Sequence, residues 1–167
     1  MSKKSLESVN NAIDLFDTVY EKIFKEFKAE KVPSIETSLR QRSREMPSLI
    51  QEIGIVGALS YCFAKGNKYY PELINILESK DKSREQETKD VLSKIKKEPD
   101  AGYSVYLYIL LKAIDNTKLL QINVKDPYSA IKNLSQNLDK ARIIERAIMP
   151  YLLQIKRLCE GMLRAKE

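Results

Sequence analysis

The sequence predicts an all-α protein, a single compact helical bundle-like domain of six to eight helices over residues 1–167. Three observations carry that reading. Apolar residues recur at intervals of three and four along most of the chain, the period of a helix with one buried side. No pair of alternating runs is joined by hairpin turn residues. The 167 residues, 43% of them hydrophobic, are enough for one well-buried core, and no repeat, low-complexity tract or linker divides them.

The first helix is expected to run to about Phe27. Leu6, Val9, Ile13, Phe16, Tyr20, Ile23 and Phe27 form its apolar stripe, and Glu7, Asp14, Asp17, Glu21, Lys25 and Lys28 its wet face. Val32-Pro33-Ser34 ends it, with Ser34 the expected N-cap of the next. In the second segment, IETSLRQRSREMPSLIQEIG, Pro47 either breaks the helix or opens a new one in its first turn. Gly54 and Gly57 bracket a short apolar helix, IVGALSYCFAKG, with Gly66 as its C′ stop.

Tyr70-Pro71 opens another helix through Leu73, Ile74 and Leu77. SKDKSREQETKD reads as an exposed loop or a helix N-terminal region, continued by VLSKIKKE and closed at Pro99-Asp100. AGYSVYLYILLKAI is the one place where a strand competes, because Val105, Leu107 and Ile109 alternate with Tyr106, Tyr108 and Leu110. The run passes into LLKAI without a turn, which favours helix. Asp126-Pro127 opens a further helix, and the last spans about Asp139 to Ala165.

Composition narrows the function. Histidine is absent, which removes His-based triads, His-ligated zinc and the usual neutral-pH proton shuttle. No GxGxxG, GxxxxGK[ST], CxxC or HExxH occurs. Asp14, Asp17 and Glu21 have the spacing to hold a metal, but they share their face with lysines and read as solvated surface. A non-enzymatic binding protein is therefore expected, with no cofactor, metal or small-molecule substrate. The N-terminal stretch has no signal-peptide apolar run and no 18 apolar residues stand together, so a cytoplasmic protein without membrane contact is expected. Cys62 and Cys159, far apart in apolar surroundings, read as buried free thiols.

Charge points to partners. The chain carries 29 Lys and Arg against 23 Asp and Glu, a net +6, and nine basic against five acidic residues fall between Lys125 and Glu167. On the last helix Arg142, Arg146, Lys156, Arg157 and Arg164 lie within an arc of roughly 100°, over roughly 33 Å of helix. Such a stripe can follow a phosphate backbone or remain a solvated or protein-binding face; nothing in it reads base identity. Arg40, Arg42 and Arg44 form a second cluster, Arg40 and Arg44 on one face and Arg42 elsewhere, suited to phosphate, to a partner's carboxylates, or to local pairing with Glu36 and Glu45. Tyr103, Tyr106 and Tyr108 can stack bases, but at this spacing they read as core.

One stretch also resembles a known family. RQRSREMPSLIQEIGIVGALSYCFAKG is similar to small subunits of the type III-B CRISPR effector, the Cmr complex. Those proteins have an Arg-rich helix, a Pro with an apolar pair, a Gly and an apolar helix, matched here by Arg40, Arg42, Arg44, Pro47, Leu49, Ile50, Gly54, Ile55, Ala58, Leu59 and Phe63. YLLQIKRLCEGM resembles the family's closing motif, although this chain has no Trp and carries a polar stretch around Lys80 to Asp90. The resemblance implies an all-helical, non-catalytic subunit of an antiviral ribonucleoprotein. Its implied partners are the larger backbone subunits, further copies of itself, and CRISPR RNA and target RNA. The residues expected at RNA or subunit contacts are then Arg40, Arg42, Arg44, Lys140, Arg142, Arg146, Lys156, Arg157 and Arg164. A helical adaptor that binds only proteins is the alternative.

Overall fold

A computed structural model describes residues 2–166, the side chain of Lys82 excepted. Among them are seven α-helices and no strand: α1 Lys3–Val19, α2 Ser34–Gly66, α3 Tyr70–Glu78, α4 Glu85–Ile95, α5 Asp100–Asn116, α6 Pro127–Ser135 and α7 Leu138–Met162. The expected fold class is the one observed.

The residues from Ala101 to Leu111 are all buried, so α5 is enclosed on every side. That enclosure explains its strand-like sequence: a helix with no wet face has no 3.6-residue polar period to show. The most extensive contact of α5 is with α2. Gly66 of α2 leaves no room for a Cβ, which would lie 2.6 Å from the Ser104 nitrogen of α5. Gly66 is thus a close-approach residue inside the helix, not the expected C′ stop; Asn67 is the C-cap, in right-handed conformation.

The α2 helix is two arms rather than one rod. Its backbone leaves helical geometry at Gly54, where φ is 82° and ψ 168°, a conformation glycine adopts without a Cβ penalty. The arms fold back on each other: the Cys62 and Met46 sulfurs are 3.9 Å apart, and Arg42 and Tyr61 both reach Tyr103. The boundary expected at Gly54 is found, whereas Pro47 neither breaks the helix nor opens a new one and sits buried within the first arm. An 18-residue window of α2 reaches a mean hydropathy of 1.2, making it the one described helix long and apolar enough to cross a membrane by length and composition. Here its apolar residues Ile50, Ile55, Leu59 and Cys62 belong to the core.

Two other expectations shift. Ser34 is the first residue of α2 and Pro33 its N-cap, with no side-chain capping bond. In α1, capped by Ser2, the buried face is Ala12, Leu15, Phe16 and Val19. Leu6 and Ile13, placed on the apolar stripe by sequence, lie about 100° round the helix from that face, in solvent. A π-helical turn, Tyr20–Phe24, then rotates Ile23 and Phe24 into the core. It also aims the Lys22 ammonium at the C-terminus of α3, where it donates to the carbonyls of Leu77 (2.9 Å) and Ser79 (2.7 Å).

Candidate nucleic-acid interface

The two basic clusters seen apart in the sequence meet in the fold. The first arm of α2 packs against α7, leaving a groove of about 600 Å³ lined by Arg40, Arg44, Lys156 and Lys166, with Thr37, Gln41, Ala165 and one acid, Glu45. A second groove of about 630 Å³ shares Thr37, Gln41 and Lys166 with it and continues to Lys31, Arg42, Asp100 and Tyr103. The two form one track across the N-terminal arm of α2.

Each arginine is held differently. Arg40 is half-buried, and its Nε is enclosed with no hydrogen-bond partner among the described residues. Arg44 is more exposed and pairs with Glu160 of α7 at 3.2 Å across the rim. Arg42 points away from both, as helical spacing predicts. Its guanidinium lies 4.6 Å from the centre of the Tyr103 ring, donates to the Tyr103 hydroxyl, and reaches Glu45 at 3.5 Å. That arginine is largely committed to structure. Burial pushes the Tyr103 hydroxyl up to about 12, so it stays protonated beside Arg42 at neutral pH.

The wall opposite α2 depends on Arg164. The sequence places this residue on the basic stripe of the last helix, but α7 ends at Met162 and Leu163 is extended. The turn aims Arg164 inward. Its backbone N–H, Nε and Nη2 donate to the Glu36 carboxylate at 2.8, 3.1 and 2.9 Å, and its guanidinium also binds the carbonyls of Glu30 and Phe27. Arg164 is therefore an anchor, and Glu36, expected to pair within the Arg40–Arg44 cluster, is its partner. The anchor delivers Ala165 and Lys166 to the groove. Sequence reasoning missed Lys166, because its position depends on a non-helical turn.

The rest of the predicted stripe divides. Lys156 turns into the groove. Arg142, Arg146 and Arg157 stay on the outward face of α7, with no ion pair among the described residues, and Lys140 is exposed on another side of the helix. Glu145, on the same helix, accepts the Ile55 N–H at 2.8 Å and so caps the second arm of α2 just after its break.

Other candidates resolve into structure. Tyr103, Tyr106 and Tyr108 are core residues. Tyr61, which the sequence did not single out, is exposed beside the second groove, edge-on to Tyr103 with ring centres 5.6 Å apart. Cys62 and Cys159 are buried free thiols, both pushed up to about 12 by burial. Asp14 and Asp17 are exposed and Glu21 pairs with Lys25 at 2.9 Å; no group of three or more acidic or cysteine side chains close enough to hold a metal exists among the described residues.

With this geometry in place, comparison with known proteins has one informative result. The chain matches a solved chain of a type III-B Cmr-beta complex bound to non-cognate target RNA, determined by cryo-electron microscopy, with a TM-score of 0.59 over 95% of this chain and 97% of that one. It has the fold of a Cmr-beta complex chain. At 18% identity the likeness to the Cmr-beta chain is one of architecture, and it is near end to end. The fold implied by the motifs around Arg40 to Phe63 is thus the fold found. No family model and no curated protein matches the sequence.

Proposed function

We propose that this protein is a small helical subunit of a type III-B CRISPR RNA-guided effector, acting in the cytoplasm in antiviral defence. It contributes no catalytic step; it docks on the larger backbone subunits, beside further copies of itself, and helps to hold RNA. The observation that carries the reading is the groove in which Arg40 and Arg44 from one end of the chain join Lys156 and Lys166 from the other. The near-complete overlap with a Cmr-beta chain supports it.

The chemistry favours phosphate. Arg40 and Arg44 line the groove and offer planar donor forks. The groove presents charge rather than a base-reading pattern, so binding follows the backbone whatever the sequence. Four cations on four phosphates give a salt slope of about −3 for a single strand, or roughly 50-fold weaker binding between 50 and 200 mM salt. Anisotropy titration of a single-stranded RNA of arbitrary sequence tests this. Arg40→Ala with Arg44→Ala should reduce the slope by about half. An unchanged slope and affinity in that variant contradicts RNA binding in the groove and favours a protein-only adaptor.

A further inference from the structure

We infer that Tyr61 is a stacking platform for an unpaired base of the strand whose phosphates lie in the basic groove. The inference rests on the functional reading above and deepens it: the ligand becomes single-stranded or locally unpaired RNA, not a regular duplex.

The track changes character along its length. The first groove sets Arg40, Arg44, Lys156 and Lys166 against one acid, Glu45. The second keeps Lys166 but sets Asp100 against Lys31, and its Arg42 is already engaged by Tyr103 and Glu45. What it offers instead is an amide, a hydroxyl and a ring, from Gln41, Thr37 and Tyr103. Surface that suits phosphate thus gives way to surface that suits a nucleoside, where aromatic area does the holding and a few polar groups orient.

Tyr61 stands at that end of the track. It is 40% exposed, whereas Ile55, Leu59 and Cys62 of the same arm of α2 are in the core. Its ring is fixed from behind. The Tyr61 and Tyr103 hydroxyls are 3.3 Å apart, and the Arg42 guanidinium covers the Tyr103 ring in turn. Gly57 and Ala64, at i−4 and i+3 on the same face, carry no side chain long enough to cover the Tyr61 ring. Lys65, at i+4, is exposed and supplies a cation for the phosphate beside a stacked base.

A ring already held at its hydroxyl tip loses little freedom when a base lands on it. Stacking accepts any base, because every base has a π-face, and so it fits a groove with no base-reading pattern. A base inside a duplex is stacked on both sides already and has no face to offer.

The test separates ring from charge. Anisotropy titrations between about 50 and 200 mM salt compare wild type with Tyr61→Ala, Tyr61→Leu and Tyr61→Phe, on one single-stranded RNA and on the same RNA annealed to its complement. Tyr61→Ala and Tyr61→Leu should each bind the single strand about 5-fold more weakly or worse, with Tyr61→Phe within about twofold of wild type. Leucine keeps apolar bulk without a π-face, and phenylalanine keeps the ring without the hydroxyl tie. Duplex affinity should not change, and the salt slope should stay that of wild type in every variant, because no charge is removed. Single-strand affinity left intact by Tyr61→Ala and Tyr61→Leu, or a loss shared equally by the duplex, overturns the inference; salt-dependent binding would still leave the basic groove standing. If those variants instead lose effector subunits on affinity purification while RNA affinity is intact, the ring is a protein contact and the inference falls. A wild-type chain that binds no RNA overturns both readings.

Discussion

Replacing Arg164 by alanine tests how the groove wall is built. The Glu36 carboxylate is 4% exposed and takes three hydrogen bonds from Arg164, two of them from the guanidinium. Alanine removes those two and releases the carbonyls of Glu30 and Phe27, while the backbone N–H at residue 164 can remain. Leaving one member of a buried pair behind costs about 3–5 kcal/mol. The Arg164 side chain is 35% exposed and one donor stays, so we expect about 2–3 kcal/mol. In a chain of this size that lowers Tm by about 5–10 °C. Arg164→Lys keeps the charge but loses the fork, and should fall between wild type and alanine. Urea unfolding followed by circular dichroism gives the free energy, and adding Glu36→Gln should recover part of it, since the stranded carboxylate is gone. RNA affinity should also fall, although Lys166 is still present in the chain. Stability within about 0.5 kcal/mol of wild type, the range of ordinary surface changes, would refute the anchor.

Three further outcomes are expected. Gly66→Ala places a Cβ 2.6 Å from a backbone nitrogen of α5 and should cost about 1–3 kcal/mol by thermal melt, whereas Gly161→Ala, with nothing within 4 Å, should be neutral or slightly stabilising. Tyr106→Phe should be neutral or stabilising by up to about 1 kcal/mol, because its buried hydroxyl has no partner among the described residues; a clear loss in urea melts would reveal one. Burial raises the Cys62 and Cys159 thiols from 9.0 to about 12, so the unfolded chain loses those protons first. Their contribution to stability is whole below pH 9 and is lost between pH 9 and about 12; the urea midpoint should fall over that range, less so in Cys62→Ala.

The sequence was most legible where one side of a helix meets water. The 3–4 spacing and the Asp126-Pro127 signal locate α6 and α7 well, and Asp126 does cap α6 by accepting from the Ser129 N–H at 3.1 Å. It was least legible where that contrast disappears. The α5 helix is enclosed on all sides, so its pattern mimics a strand. Gly54 marked the α2 turn, but the cap that completes it comes from Glu145, 90 positions along the chain from the Ile55 N–H it accepts, and Pro47, the rival local signal, is absorbed into a helix. Periodicity also misplaced Leu6 and Ile13, because which arc of a helix is buried depends on its neighbours. For the groove, Arg40, Arg44 and Lys156 were readable as basic clusters. That they face one another, and that Lys166 joins them, follows from the packing of α2 on α7 and the Arg164 turn.

If the protein is a subunit of an RNA-guided effector, it travels with that effector's RNA and its larger subunits. Affinity purification of the tagged chain from its native host, with sequencing of the co-purifying nucleic acid, tests it most directly. Repeat-derived guide RNAs together with several larger subunits are expected. Protein partners recovered without RNA would contradict it and leave the basic groove as a docking surface for acidic proteins.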